Sequence, residues 1–188
     1  MALGTTAISD LIDALAARTP APGGGAAAAI AAALGCAAGA MATRYTAGAK
    51  YVAVETAAQQ LGDVLVLTAQ ECIRLGDADA DAYAAVTAAR KTKDATATAL
   101  AEQRAGAIPA DLLALCAQHA AELARFISHC NPYLVSDVKV GIHLLAGAGR
   151  AAWQTLIVNQ PSEQQRTTAA HHLETLAKAE RQALEQSS

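Results

Sequence analysis

A run of prolines and glycines that leads directly into an alanine-dominated segment constrains this chain more than any other feature. Residues 20–25 read Pro-Ala-Pro-Gly-Gly-Gly, and the alanine-rich segment continues to residue 42 with Ile30, Leu34 and Met41 as its larger apolar side chains. Proline is tolerated in the first turn of a helix, and alanine is the best helix former. A helix with so few large side chains lets neighbouring helix backbones approach closely, which predicts a buried helix at the centre of a bundle. The glycine N–H groups before it leave main chain open to a ligand.

The remaining composition predicts an all-α, multihelical bundle around this central Ala/Gly-rich helix. The chain of 188 residues is 53% hydrophobic but only 3% aromatic, which favours closely packed helices over β-structure. Its length is within the usual range of one domain, so a single domain over residues 1–188 is expected. Helices are predicted over residues 3–18, 22–45, 52–75, 77–91, 109–129, 137–158 and 161–185. Gly76 is expected to end or bend the helix that precedes it, and Pro109 is expected to open the helix that follows it. The pattern over residues 92–108 is weak.

Charge and cysteine usage bear on partners and location. The net charge is −3 and the sequence has no long basic run, which argues against a nucleic-acid partner. Cys36, Cys72, Cys116 and Cys130 form no Cys-x-x-Cys pair, so free thiols and a reducing, cytoplasmic setting are expected. The N-terminus lacks the pattern of a signal peptide. Residues 23–42 resemble a membrane span only in lacking charge. Because alanine and glycine gain little from transfer into lipid, no membrane association is expected.

Three aspartates alternate with alanine after Gly76, and successive ones turn about 200° around a helix axis, so they cannot share one face. Asp77 and Asp81 share one side, whereas Asp79 aligns with a stripe that is expected to be buried. A carboxylate in such a stripe needs a partner or a raised pKa, both of which are common at acid/base sites. The alternative is that Gly76 begins a new helix whose positive N-terminus attracts all three carboxylates. The stripe consists of Leu75, Asp79, Tyr83, Val86 and Arg90.

A second polar group surrounds the start of a later helix. Asn131, Ser136 and Asp137 lie there, and helix capping, with Ser136 as the N-cap, explains them adequately without a ligand. His119 and His143 are expected to be core or interface residues, and no His-Glu-x-x-His spacing supports a protein-bound metal. The glycine triplet lacks the Lys-Ser/Thr of a phosphate-binding loop, which argues against a bound nucleotide. No bound prosthetic group is expected.

Several of these motifs occur in a characteristic order. They are Thr19-Pro20-Ala21-Pro22-Gly23-Gly24-Gly25 before the alanine helix, Thr46-Ala47-Gly48-Ala49-Lys50-Tyr51, Asp79-Ala80-Asp81-Ala82-Tyr83, Asn131 with Ser136-Asp137, and Asn159. Their combination resembles the formiminotransferase-cyclodeaminase C-terminal and methenyltetrahydrofolate cyclohydrolase family over most of the chain. Without a formiminotransferase domain, the chain resembles the free-standing bacterial form. The resemblance implies a multihelical fold, a homodimer and a tetrahydrofolate derivative bound near the proline-glycine loop.

The resemblance also implies roles for particular residues. It implies that Asp79, which the helix geometry singles out independently, is catalytic. The implied reaction is hydrolysis of 5,10-methenyltetrahydrofolate to 10-formyltetrahydrofolate, or cyclodeamination of formiminotetrahydrofolate, with this aspartate as acid/base and no metal. The residues implied in substrate binding are Pro22, Gly23, Gly24, Gly25, Lys50, Tyr83, Asn131, Ser136 and Asp137.

Departures from the family pattern keep other functions open. Family members usually carry a more lysine-rich turn near Lys50, a Pro-Lys pair after the helix arginine and a second asparagine after Asn131. Here the turn reads Ala-Lys-Tyr, the helix arginine is followed by Lys-Thr-Lys, and Tyr133 stands in place of the second asparagine. The alternatives are a divergent member that acts on a different cyclic amidine or iminium-like substrate, and a non-catalytic helical dimer used for binding or assembly. A site that spans a dimer interface is also left open.

Overall fold

The computed structural model describes residues 2–185, and within that range it contains six α-helices and no β-strand. The all-α bundle expected from the sequence is therefore confirmed, while Met1 and residues 186–188 of the expected single domain lie outside the described residues. The helices are α1 (Ile8–Ala16), α2 (Gly24–Arg44), α3 (Glu55–Thr92), α4 (Ala95–Phe126), α5 (Val135–Val158) and α6 (Glu163–Glu185), with 3-10 turns at Leu3–Thr5, Ile127–His129 and Pro132–Leu134.

The alanine-rich helix α2 lies at the centre of the bundle, between α3 and α5. Glycines allow its backbone to touch that of α5, because a Cβ atom on Gly35 would lie only 3.0 Å from the carbonyl oxygen of Gly141. Gly24, at the other end of α2, faces Thr155. The N-terminus of α2 therefore lies beside the C-terminal part of α5, and the two helices are antiparallel.

By length and composition alone, α2 is apolar enough to cross a membrane. However, 61% of its most apolar window is buried inside the fold, and most of its small side chains pack against other helices. This burial favours the interpretation of α2 as a core helix. Leu34 and Met41 are exceptions, since both are exposed on the outward side of the helix.

Helix α3 runs antiparallel to α2 and extends beyond it. Gly62 faces Thr43 near the end of α2, and Gly76 faces Ala29 near its start. Because α2 begins at Gly24, the part of α3 that follows Asp79 has no α2 backbone to pack against. This part of α3 and the first turns of α4 form a largely exposed helical hairpin.

Three predicted helix boundaries are wrong. The helix predicted from residue 3 begins at Ile8, and Leu3–Thr5 form a separate 3-10 turn before it. Gly76 neither ends nor begins a helix, since α3 continues through it, and Pro109 lies inside α4 and does not open it. A proline lacks the N–H group of a helix hydrogen bond and its ring crowds the carbonyl four residues earlier, but the turns on both sides of Pro109 are packed in the core, and this packing supports the helix. The start of α4 is fixed instead by Asp94, whose side chain accepts hydrogen bonds from the N–H groups of residues 96 and 97.

The core consists mainly of leucines from α3 to α6 packed against the alanines and glycines of α2. All four cysteines are free and buried, as expected from their spacing. A hydrogen bond with Cys72, followed by burial, raises the pKa of Cys36 far above its ordinary value, so this thiol stays neutral. His119 is also buried, with its ring between Thr68 Oγ1 at 3.0 Å and Glu122 Oε2 at 2.8 Å, as expected of a core histidine.

Candidate active site

The Asp79 carboxylate lies against Gly25, in the first turn of α2. A Cβ atom at Gly25 would lie 2.5 Å from Cγ and 2.7 Å from Oδ1 of Asp79, so the carboxylate occupies space that only a glycine leaves free. Two motifs that are 54 positions apart in the sequence therefore meet in the structure.

Burial sets the electrostatic character of Asp79. The side chain is half-buried, and burial raises its pKa above the ordinary value of an aspartate. Among the described residues, no hydrogen bond or neighbouring charge contributes to this shift. A carboxyl group in such surroundings exchanges a proton more readily near neutral pH than an exposed one does, which suits it to acid/base chemistry.

The other two aspartates have different environments. Asp77 Oδ1 accepts a hydrogen bond of 2.8 Å from the N–H group of Leu3, which ties the N-terminal segment to α3. Asp81 is exposed. Since α3 is continuous here, the alternative in which all three aspartates favour a new helix N-terminus does not hold.

The proline-glycine loop leads the chain into α2 with its main chain accessible. Gly23 is the N-cap residue, its backbone is extended, and no side chain within residues 2–185 caps the helix. Gly24 is exposed and Gly25 is buried under Asp79. The first N–H groups of a helix have no partner within the helix and carry a partial positive charge, so this end of α2 presents hydrogen-bond donors beside the carboxylate.

A continuous surface leads from this loop to a larger cleft. Gly24 faces Thr155 on α5, one turn before Asn159, whose side chain donates a hydrogen bond of 3.0 Å to the Thr155 carbonyl. Asn159 in turn faces Gly106 of α4, since a Cβ atom on that glycine would lie 3.6 Å from the Asn159 Cβ. The small space at Pro22 itself has a volume of only about 60 Å³.

The cleft beyond Asn159 has a volume of about 400 Å³, which is in the range of small-molecule sites. It lies between the α3–α4 hairpin and the connection from α5 to α6. An ion pair at its edge joins Arg90 of α3 to Glu102 of α4 at 2.8 Å. The other polar residues that line the cleft include Gln103, Asn159, Gln160, Ser162 and Gln165.

The stripe predicted to be buried on α3 is exposed in its second half. Tyr83 is 56% exposed, Val86 is only partly buried and Arg90 is exposed, because α2 begins opposite Asp79 and does not lie alongside the later turns of α3. The prediction of a buried stripe is therefore wrong beyond Asp79. Its residues instead form the face of the hairpin that continues from Asp79 towards the cleft.

The remaining predicted site residues lie at the opposite end of α2. Asn131 donates from Nδ2 to the Tyr45 carbonyl and accepts from the N–H group of Tyr133, so its side chain caps a 3-10 turn. Ser136 is not the N-cap of α5, which begins at Val135, because Pro132–Leu134 already form a turn that leads into the helix. Its hydroxyl donates to Asp137 Oδ2 at 3.3 Å.

The predicted residues thus form two groups within one protomer. Lys50 is exposed in the turn that follows α2, near the level of Asn131, whereas Gly25 and Asp79 lie at the start of α2. The two ends of a helix of this length are about 30 Å apart. One small ligand therefore cannot contact both groups in the same protomer.

Sequence reasoning did not assign a role to Arg90, Glu102 or Thr155. Arg90 carried a usable signal, because it is eleven positions after Asp79 on α3 and so returns to nearly the same helix face. The nearness of Thr155 to Gly24 depends on the packing of α2 against α5, for which the sequence offers no local signal. Within residues 2–185, no group of three histidine, cysteine or acidic side chains is arranged to hold a metal ion.

The chain was compared with protein-family models, with solved structures and with curated protein sequences. The family model described as formiminotransferase-cyclodeaminase matches residues 7–178. The fold is similar to the crystal structure of formiminotetrahydrofolate cyclodeaminase from Thermotoga maritima, with a TM-score of 0.87 and 22% identity, over 96% of this chain and 94% of that one. No curated protein sequence matches the chain significantly.

Proposed function

The chain belongs to the formiminotransferase-cyclodeaminase family, and on this premise we propose that it is an enzyme that hydrolyses 5,10-methenyltetrahydrofolate to 10-formyltetrahydrofolate, or cyclodeaminates formiminotetrahydrofolate, with Asp79 as the acid/base. One observation carries the proposal. The half-buried Asp79 carboxylate, whose pKa burial raises, lies against Gly25 at the uncapped N-terminus of α2.

In the cyclohydrolase reaction, water adds to the cationic carbon between N5 and N10 of the substrate. Asp79 accepts a proton from that water as the new C–O bond forms, which leaves a neutral hydroxyl adduct. The protonated Asp79 then donates to N5, the C–N5 bond breaks, and the hydroxyl proton is released as the formyl group forms. A carboxylate also stabilises the cationic substrate before the water attacks.

In the cyclodeaminase reaction, the same carboxyl group serves the leaving nitrogen. N10 attacks the carbon of the formimino group on N5, and the proton that N10 loses passes to the formimino nitrogen. Asp79 donates one further proton to that nitrogen, the C–N bond breaks, and the nitrogen departs as ammonia. The product is the methenyl compound that the first reaction consumes. Since both reactions need one proton carrier at the same carbon, one site can support either.

A homodimer completes the proposal. The outward face of α2 and α5 carries no charged residue at positions 27, 34, 41, 140, 144 and 147, and Leu34, Met41 and Val140 on it are exposed. A second copy related by a two-fold axis covers this face with its own identical surface. If the two α2 helices cross antiparallel, the Lys50 and Asn131 end of one protomer meets the Asp79 end of the other, so both groups of predicted residues contact one substrate.

Mixing two inactive variants tests this arrangement. Lys50→Ala and Asp79→Asn damage different ends of each protomer, so a heterodimer has one site with both changes and one intact site. After subunit exchange at equal amounts, about a quarter of wild-type activity should return, because half of the dimers are mixed and each has one intact site. A monomer by light scattering, or no recovery in mixtures shown to contain heterodimers, contradicts the shared site.

The activity itself is tested by following the loss of methenyltetrahydrofolate absorbance and, separately, the release of ammonia from formiminotetrahydrofolate. Asp79→Asn should reduce turnover by about 10²-fold to 10⁴-fold, the usual contribution of an acid/base group. Asp81→Asn is the matched control, because it removes an exposed carboxylate two positions away and should leave turnover unchanged. If the wild-type protein matches the uncatalysed rate with both substrates, the proposed activities are wrong.

The free and buried state of all four cysteines supports placing the enzyme in a reducing cytoplasm. A non-folate cyclic amidine or iminium-like compound, used by a divergent member of the family, is the second candidate substrate. It is favoured by Tyr133, which is almost fully exposed where family members usually have an asparagine. Turnover of such an amidine, with none of either folate, is the outcome that supports this candidate.

A further inference from the structure

The cleft between the α3–α4 hairpin and the α5–α6 connection has no role in the chemistry at Asp79, yet it is joined to that site. We propose that this cleft binds the glutamate carboxylates at the distal end of the folate substrate through Arg90, and that Glu102 is an internal competitor which the substrate displaces. This inference rests on the proposed function, since it concerns the other end of the same substrate.

The geometry places the two subsites on one surface. Asp79 and Arg90 lie on nearly the same face of α3, and eleven helical positions span about 16 Å. The surface between Asp79 and the cleft is bordered on its other side by Gly24, Thr155 and Asn159, each in contact with the next. A long, narrow substrate with its reactive carbon at Asp79 therefore extends along the exposed face of the hairpin towards Arg90.

The ion pair at the cleft is suited to exchange. The Nε and Nη2 atoms of Arg90 both donate to the same oxygen of Glu102, at 3.2 and 2.8 Å, so the pair lacks the two parallel bonds that make arginine–carboxylate pairs strong. The two side chains are 66% and 42% exposed, and exposed pairs contribute only about 0–1 kcal/mol. A ligand carboxylate that approaches in the plane of the guanidinium, opposite two of its N–H groups, can form the two-bond pair and displace Glu102 at little cost.

The surroundings favour an anion with amide groups. Four of the 14 lysines and arginines lie between residues 90 and 104, against two acidic residues in the same range, so the hairpin tip is locally positive. The amide side chains of Gln103 and Asn159 line the cleft, and an amide both donates and accepts hydrogen bonds. The distal part of a folate, a benzoyl amide ending in two carboxylates, matches this lining.

Direct binding tests the inference without turnover. The probe is p-aminobenzoyl-glutamate, with p-aminobenzamide as the ligand that lacks the glutamate, and affinity is measured by calorimetry. We expect wild-type protein to bind the glutamate-containing probe and to discriminate against the other. Arg90→Gln should weaken binding of the first probe by about tenfold or more, as expected for a lost charged hydrogen-bond pair.

Two further variants separate a specific subsite from general charge attraction. Lys91→Gln removes a neighbouring exposed cation and should leave affinity almost unchanged. Glu102→Gln removes the competitor and should tighten binding severalfold. Absence of wild-type binding at millimolar probe, equal weakening by Arg90→Gln and Lys91→Gln, or weaker binding by Glu102→Gln overturns the inference.

The inference and the proposed function fail differently. With methenyltetrahydrofolate as substrate, Arg90→Gln should raise KM and leave kcat nearly unchanged, because Arg90 lies far from the reacting carbon. Turnover with an unchanged KM overturns the cleft assignment and leaves the activity intact. Binding of the probe without turnover of either folate overturns the activity and leaves the cleft assignment intact.

Discussion

Replacing Gly25 by alanine tests whether the position of the Asp79 carboxylate matters for activity. The new methyl carbon would lie 2.5 Å from Cγ of Asp79, where ordinary van der Waals contact begins at 3.4 Å. Gly25 is helical within α2, so alanine adopts its backbone conformation without strain. The carboxylate is the group that yields, because it is the end of a side chain and the α2 and α3 backbones are packed in the bundle.

The expected loss follows from that displacement. The carboxylate must retreat by about 1 Å, and a misplacement of that size in an active site costs on the order of 10²-fold in rate. This corresponds to about 2.7 kcal/mol of transition-state stabilisation. The free energy of unfolding should change by less than about 1 kcal/mol, since alanine favours the helix and Asp79 can turn towards solvent.

The assay compares kcat/KM for methenyltetrahydrofolate and chemical denaturation for three single variants. Gly24→Ala is the matched control, because its methyl carbon would lie 3.9 Å from Thr155, an ordinary contact. It should keep wild-type activity. Asp79→Asn provides the reference for complete loss of the acid/base group.

A double variant makes the reasoning refutable. In the Asp79→Asn background, Gly25→Ala should cause no further loss, because no proton carrier remains to be misplaced. Wild-type activity of Gly25→Ala would refute the claim that catalysis depends on this contact. A further large loss in the double variant would show that the methyl group acts on the ligand or the loop instead.

Three further predictions concern stability, each measured by denaturant unfolding. Burial raises the pKa of Asp79 in the folded state. The stability that the Asp79 carboxyl group contributes is therefore complete below the ordinary aspartate pKa and is lost as the pH rises through the raised value. Asp79→Asn should be more stable than wild type at neutral pH, with no gain at low pH. Gly149→Ala should cost about 1–3 kcal/mol by overpacking, because the methyl carbon would lie 2.5 Å from Leu176 Cδ1. Asp94→Ala should cost about 1 kcal/mol by removing the cap of α4.

Most of the fold could be predicted from local sequence patterns. Helical spacing and the choice of alanine predicted the helices of the bundle and the central position of α2, because such patterns depend on residues three or four positions apart. Pro109 shows where a local rule fails: a proline favours a helix start, but here the buried turns on both sides of it support a continuous α4. The sequence contains no local sign of that support.

The candidate site was less predictable because it depends on where helices end relative to each other. The odd position of Asp79 on α3 could be seen from its spacing, but its contact with Gly25 required the packing of α3 on α2. The exposure of Tyr83 follows from α2 beginning opposite Asp79, and Lys50 is distant because it follows the other end of α2. The order of motifs along a chain does not reveal such distances.

The glycine contact between α2 and α5 has a consequence for the rate at which the protein unfolds. Gly35 and Gly141 are about a hundred positions apart, whereas Arg90 and Glu102 in the α3–α4 hairpin are separated by twelve. Short chain closures cost less entropy than long ones, so the hairpin is expected to form early and the α2–α5 contact late. Enlarging either glycine should therefore accelerate unfolding while leaving the folding rate almost unchanged, so this contact contributes to the lifetime of the native state more than to the speed of folding.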